Sequence, residues 1–257
     1  MGKHWYDEDG NPQHRITGAN GKERDTTLRD AKKHGYFPSV TGVIDQLDKP
    51  ALTKWKLEKL ANVIVDDMER LHESGAFDGD DLGRAGYLKK CHERAMIDTV
   101  IARDEGARIH KAIENSYNNE EYDDKYEPHV KEVRRVILEM FGDREWWTEE
   151  TFAHPLGYGG TVDLYSKGGD GWSDSVTLDF KTKDFDEKMP KGYPEQKMQL
   201  EACSNGVGIP DALIGNVFVS RTVAGLVHVE MYDKKDYWEQ FKLLLQLWKR
   251  RNNCGSF

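Results

Sequence analysis

The chain has 257 residues, with 37 Lys and Arg against 46 Asp and Glu, for a net charge of -9. That length buries a sizeable core, as one large domain or a core with an added subdomain, and 11% aromatic residues argue against disorder. No apolar run approaches the roughly 20 residues that span a bilayer, and a net negative chain does not coat a duplex with a broad basic face. Two readings survive: nucleic acid enters a narrow, locally basic site, or the chain does not bind it. The cysteines, Cys91, Cys203 and Cys254, are scattered and odd in number, which predicts a reducing compartment and rules out a four-thiolate iron–sulfur cluster. The opening Met1-Gly2-Lys3-His4-Trp5-Tyr6-Asp7 lacks the apolar stretch of a signal peptide, so an intracellular chain is expected.

Residues 1–35 are polar with little periodicity and read as an irregular arm, with a short hairpin around Asp9-Gly10-Asn11. Pro38-Ser39-Val40-Thr41 opens a helical region, because a Ser or Thr there caps a helix N-terminus. Helical spacing runs from about Leu52 to His72, breaks at Gly75 to Gly83, and resumes from about Gly86 to Tyr117, where Ile97, Val100, Ile101, Ile109 and Ile113 share a face. The acidic Asn118 to Glu127 reads as a loop and His129 to Met140 as a helix, which sets a helical region over 36–142. The period then shortens. Strands are expected near 145–154, 158–166, 175–182, 213–220 and 225–232, with a glycine-rich turn at Lys167 to Gly171. Helices are expected over Pro194 to Asn205 and Lys235 to Arg250, so residues 143–257 form an α/β core with an N-terminal helical cap.

Two strand pieces carry the chemistry: Gly159-Gly160-Thr161-Val162-Asp163, and Leu178-Asp179-Phe180-Lys181-Thr182. Strand side chains alternate, so Asp179 and Lys181 leave one face of the sheet and Phe180 the other. Placing the Asp163 strand alongside brings two carboxylates and an ammonium together, which suits a hard divalent cation and a phosphodiester. A carboxylate-x-lysine pair is ordinarily a solvated strand edge, but Val176-Thr177-Leu178 makes this strand apolar, and a charge in it needs a partner. His110 sits on the helix among apolar neighbours, where a hydrogen-bonded core histidine is the ordinary alternative to a metal ligand. Glu149 and Glu150 begin the first strand, and only one of them faces the side of Asp163. Gln199 lies on the following helix, from which a side chain reaches back to phosphate or to a water.

The order Gly106-x-x-x-His110, Glu149, Gly160-x-x-Asp163, Asp179-x-Lys181 and Gln199 resembles the PD-(D/E)XK superfamily, specifically its RecB-like nuclease branch. Tyr36 to Ile44, followed by Leu52-Thr53-Lys54-Trp55, is similar to the opening of the mitochondrial genome maintenance exonuclease and of related phage exonucleases. The resemblance covers roughly residues 36–205. It implies a restriction-endonuclease-like mixed sheet flanked by helices, and a Mg²⁺- or Mn²⁺-dependent deoxyribonuclease. Asp163, Asp179 and the Phe180 backbone carbonyl would then be central metal ligands, His110 and Glu149 further ones, with Lys181 and Gln199 completing the catalytic group. The implied activity is exonucleolytic, on single-stranded DNA ends in recombination, repair or phage replication, alongside replication or recombination proteins and without a membrane. A bacterial cytoplasm and a phage-encoded origin follow from the same resemblance. A structure-specific or restriction-like endonuclease, and an inactive nucleic-acid- or partner-binding module, are the alternatives. One departure stands out: where many RecB-like members carry a tyrosine four residues after the glutamine, this chain has Cys203. Around the site, Lys181, Lys183, Lys188, Lys191 and Lys197 form a prospective phosphate track, with Tyr158 and Tyr193 as stacking surfaces for unpaired bases.

Overall fold

The computed structural model of the chain describes residues 4–18, 20–74, 83–168, 174–233 and 236–254. They fall into two compact units, residues 1–46 with 108–257, and residues 47–107. The first, the core unit, opens with β1 (Trp5–Tyr6), β2 (Arg15–Thr17) and β3 (Glu23–Asp25), then α1 (Leu28–His34), β4 (Phe37–Pro38) and α2 (Val40–Ile44). Strand β1 pairs with β4 and β2 with β3, both antiparallel. This is more order than the polar arm expected over 1–35. Local composition hides two buried anchors: Trp5 is 1% exposed and its indole N–H donates to the Thr26 carbonyl, while Tyr6 is 3% exposed. The expected hairpin is present, built by the Asp7 carboxylate, which accepts from the Asp9 and Asn11 N–H groups around Gly10 at φ 85°. Ser39 caps α2 as its sequence position predicts, accepting from the Gly42 N–H.

The sheet of the core unit has the order β5-β6-β7-β8-β9: β5 (Trp147–His154), β6 (Tyr158–Ser166), β7 (Val176–Lys183), β8 (Leu213–Ser220) and β9 (Val227–Tyr232). All neighbours are antiparallel except β7 and β8, which run parallel. A parallel pair needs a crossover, and α6 (Pro194–Gly206) supplies it between them. On one face, Leu164, Val176, Leu178, Phe180, Val217 and Val219 pack against Ile109, Ala112 and Ile113, and against Val130, Val133 and Ile137 of α5 (Glu127–Phe141). Opposite them, Thr177 accepts from the Ser204 hydroxyl and Asp179 from the Gln199 amide, both of α6. The alternation of β7 is therefore as its sequence requires: Leu178 and Phe180 into the core, Thr177, Asp179 and Lys181 towards α6. The last helix is α7 (Tyr237–Arg251), whose basic final turn, Lys249, Arg250 and Arg251, complements the helix dipole.

Two further helices complete the chain, α3 (Pro50–Ser74) and α4 (Gly83–Tyr117). The helical region expected over 36–142 is divided differently. Residues 36–46 and 108–142 pack with the sheet, and only 47–107 form the second unit. The reason is that Ile109, Ala112 and Ile113 of α4 find apolar partners on the sheet. Residues 75–82 of the expected break at Gly75 to Gly83, and the glycines of the 167–171 turn beyond Gly168, lie outside the described residues, and Gly83 opens α4.

Within the helical unit, the buried Asp67 of α3 binds Arg94 of α4 at 2.6 Å and accepts from the Tyr87 hydroxyl at 3.2 Å and the Cys91 thiol at 3.8 Å. A carboxylate this buried stays charged only with such partners. Removing the guanidinium in Arg94→Met should cost about 1–2 kcal/mol, because the buried carboxylate loses a charged partner that is itself partly exposed. Urea denaturation followed by helical circular dichroism measures it, and an unchanged midpoint would show that the pair carries no stability.

Candidate metal and catalytic site

The site forms where β6 and β7 part. Their pairing covers Ser166↔Val176, Tyr165↔Thr177 and Leu164↔Leu178, and stops there. One step on, the Phe180 N–H is donated at 2.9 Å to Asp163 Oδ2, so a side-chain carboxylate replaces the missing strand carbonyl. Asp163 is thereby held at the mouth of the opening. The edge of the Phe180 ring packs on the His110 ring, with centroids 5.5 Å apart, and α4 brings His110 Nε2 to 3.7 Å from Asp163 Oδ2 and 3.1 Å from Glu149 Oε1.

Glu149 is the residue chosen between the two glutamates. Its φ is 50°, a left-handed value that a glutamate adopts only at a cost, and it lies within β5 between the paired Thr148 and Glu150. That twist aims its side chain at His110, while Glu150 is exposed. His110, Glu149 and Asp163 offer ligand atoms that all lie within 4.8 Å of one another, a spacing able to hold one metal ion. One imidazole nitrogen and two carboxylates fit a divalent cation of the Mg²⁺ or Mn²⁺ type.

Asp179 lies beside the cluster, close enough for its charge and that of Asp163 to act on each other. Its Oδ1 accepts from Lys181 Nζ at 3.0 Å and from Gln199 Nε2 at 2.9 Å, and its Oδ2 lies 2.7 Å from Lys181 Nζ. Lys181 and Gln199 thus turn the carboxylate towards α6, and it is not among the three residues of the cluster. At Phe180 the backbone N–H is bonded to Asp163.

The charges remain coupled. Burial pushes the Asp179 carboxyl up to about 6 against the pull of Lys181, and the nearby Asp163 adds to the rise. Burial likewise raises Asp163, opposed by His110, Lys181 and the Phe180 N–H. Burial alone would lower Lys181, but the two aspartates outweigh it and hold the ammonium charged. For His110, too, burial acts downward. The hydrogen bond to Glu149 and the charges of Asp163, Glu149 and Asp179 overcome it and lift the imidazole to about 9.

Among the other expected contacts, Tyr158 is fully buried, its hydroxyl donating to the Ala202 carbonyl, so it is no platform for a base. The physical reason is tertiary: α7 lays Trp238 and Phe241 against its ring. Tyr193 is 60% exposed, with the Lys183 ammonium 4.7 Å from its ring centroid, and Lys188 and Lys191 are exposed. Lys197 instead stacks over Tyr232. One neighbour escaped the sequence reading. Tyr6, from the arm, bonds its hydroxyl to Thr161 Oγ1 at 3.0 Å, beside the buried Cys203, whose thiol reaches the Thr161 carbonyl at 3.8 Å. The available signal was the tight Gly159-Gly160 pair: a Cβ at Gly159 would fall 2.6 Å from that of Tyr6.

A cation at His110 must displace a proton at neutral pH, since the imidazole titrates near 9 in its absence. Mn²⁺ affinity should therefore climb about tenfold per pH unit between 7 and 8.5 and level off above 9. Calorimetry in buffers of different ionisation enthalpy should show about one proton released per ion, and none for His110→Gln. Without metal the sign reverses. A folded-state pKa raised above the ordinary 6.5 gives stability that is full below 6.5 and lost as pH rises through about 9. Metal affinity flat across this range would exclude His110 as a ligand.

No protein-family model matches the chain, and no curated protein matches it. Among solved structures, one described as "Crystal structure of SSO0001" aligns with 49% of this chain and 57% of that one, at 15% identity and a TM-score of 0.30. The chain thus spans little more than half the length of that structure.

Proposed function

We propose that the chain is a Mg²⁺- or Mn²⁺-dependent DNA exonuclease of the RecB-like PD-(D/E)XK kind, acting on single-stranded ends in recombination, repair or phage replication. One observation carries this reading: the convergence of His110, Glu149 and Asp163 within 4.8 Å, beside a buried Asp179, Lys181 and Gln199 network. When bound, the metal would supply Lewis-acid activation of a phosphate oxygen and of a water. His110, Glu149 and Asp163 would hold it.

The chain's own groups do the rest. Lys181 is kept cationic by Asp179 and Asp163, so it serves as a fixed positive charge facing the charge that grows on phosphate, rather than as a base. Asp179 holds that ammonium in place, and Gln199 donates to the same carboxylate, which restricts the lysine to one orientation. Asp163, fastened to the Phe180 N–H, cannot swing away from the site. The exposed Tyr193 and the half-buried Lys183 beside it offer a ring and an ammonium to an unpaired nucleotide. In line with the net charge of -9, such contacts suit a narrow strand path rather than a duplex face.

Incubating end-labelled linear and circular single-stranded DNA with Mg²⁺ or Mn²⁺ tests the reading. Linear DNA should be shortened from an end and circles left intact; Asp179→Ala and Lys181→Ala should each reduce cleavage at least about a hundredfold with the fold kept. Cleaved circles would turn the assignment to an endonuclease, and no cleavage with retained binding to a non-enzymatic module. Saturating metal should also raise the melting temperature, because it binds only the folded state. The His110 ligand should make the shift larger for Mn²⁺ than for Mg²⁺.

A further inference from the structure

A cleft of about 830 Å³ in the core unit does not lie over the metal cluster. It opens between the end of α4, the outer side of α5 and the chain entering β5, and no role assigned above uses it. Tyr117, Tyr122 and Trp146 line it together with Val130 and Ile137, and the rings rest on the apolar core beneath. Cations stand around them. The Arg134 guanidinium lies 4.6 Å from the Tyr117 ring centroid and Arg144 5.9 Å from that of Trp146, with Lys131 also on the lining.

The charge there is not all neutralised internally. Lys131 pairs with Glu127 at 2.9 Å, and Arg135 is held by Glu132 and Glu139. Arg134 is exposed, gives one N–H to the Ser116 carbonyl at 2.7 Å, and has no carboxylate partner among the described residues. Its guanidinium plane thus remains available to an anion from outside. A volume of this size admits a nucleotide-sized ligand.

Position supplies the third argument. Tyr117 is seven residues beyond His110 on α4, about 10 Å at a helical rise of 1.5 Å per residue. Trp146 is three residues before Glu149, about 10 Å at the strand rise of 3.3 Å. The two elements stay side by side over that distance, since Thr148 Oγ1 donates to Asn118 Oδ1 and the Tyr117 and Trp146 rings meet edge to face. The cleft therefore lies about three nucleotides from the cluster, taking the 3.4 Å rise of a stacked strand.

We infer that this cleft is a second nucleic-acid subsite. It takes an unpaired nucleobase of the strand against Tyr117 and Trp146, with a flanking phosphate on Arg134. The inference rests on the proposed nuclease function for the identity of its ligand, and holds the strand away from the bond to be cut. Stacking on rings and guanidinium planes is sequence-tolerant, so no preferred base is expected.

The test is the anisotropy of a fluorescein-labelled oligothymidylate titrated with the full chain in EDTA, where nothing is cut, across a salt series. Arg134→Gln should weaken binding about threefold and make the log–log salt slope shallower by about 0.7, the change for one lost phosphate contact. Tyr117→Leu should weaken it at least about fivefold at any salt, the lower end for loss of one stacked base. If Tyr117→Leu unfolds, the exposed Arg134→Gln alone still decides. Lys32→Gln removes equal charge elsewhere and should change neither quantity. Unchanged affinity and slope in Arg134→Gln, or an equal effect of Lys32→Gln, would overturn the subsite. So would inorganic polyphosphate competing as well as the oligonucleotide while Tyr117→Leu binds normally, since a purely electrostatic patch behaves that way. Failure of the nuclease reading shows separately: no cleavage with Mg²⁺ or Mn²⁺, yet the binding losses above intact.

Discussion

A single substitution of hydrogen-bond partner governs the site: at Phe180 the sheet exchanges a backbone carbonyl for the carboxylate of Asp163. An open, unpaired backbone N–H in a sheet interior is costly. A side chain that satisfies it becomes part of the sheet's own bonding, and its position is then set by the strands rather than by a flexible stem. The parting of β6 and β7 below Leu164 and Leu178 follows from this arrangement and leaves the space in which the other groups meet. His110 enters it from the apolar side, seated against Phe180, while Lys181 and Gln199 enter from the α6 side.

Three carboxylates in so small a volume repel one another, and the metal-free chain answers with its own cations. Lys181 lies against Asp179, and the imidazole of His110, charged at neutral pH, lies against Glu149 and Asp163. The imidazolium occupies the electrostatic role that a bound ion would take over. A doubly charged ion at the same groups would replace a single proton and offset more of that repulsion.

Most of the sheet was legible because β7 and β8 carry apolar runs and the strand spacing is regular; the start and end of β6 and β8 fall where the sequence places them. Asp163, Asp179, Lys181 and Gln199 were legible as chemistry because charges in apolar strands demand partners. What stayed hidden depends on contacts between distant segments. Nothing local says that Tyr158 lies under α7, that Trp5 and Tyr6 are buried, or that α4 changes packing partners near Arg108. The partition of the carboxylates was hidden for the same reason. Asp179 is drawn to α6 by Lys181 and Gln199, whereas Glu149 is drawn to α4 by His110, and only the folded register separates the two groups.

The left-handed Glu149 has a consequence for how such a chain drifts. A side chain held at φ 50° costs about 1–2 kcal/mol relative to extended backbone, and a glycine there would shed the cost. The same exchange deletes one of the three groups whose spacing is able to hold a metal ion. Backbone comfort and that geometry therefore favour opposite residues at this one position.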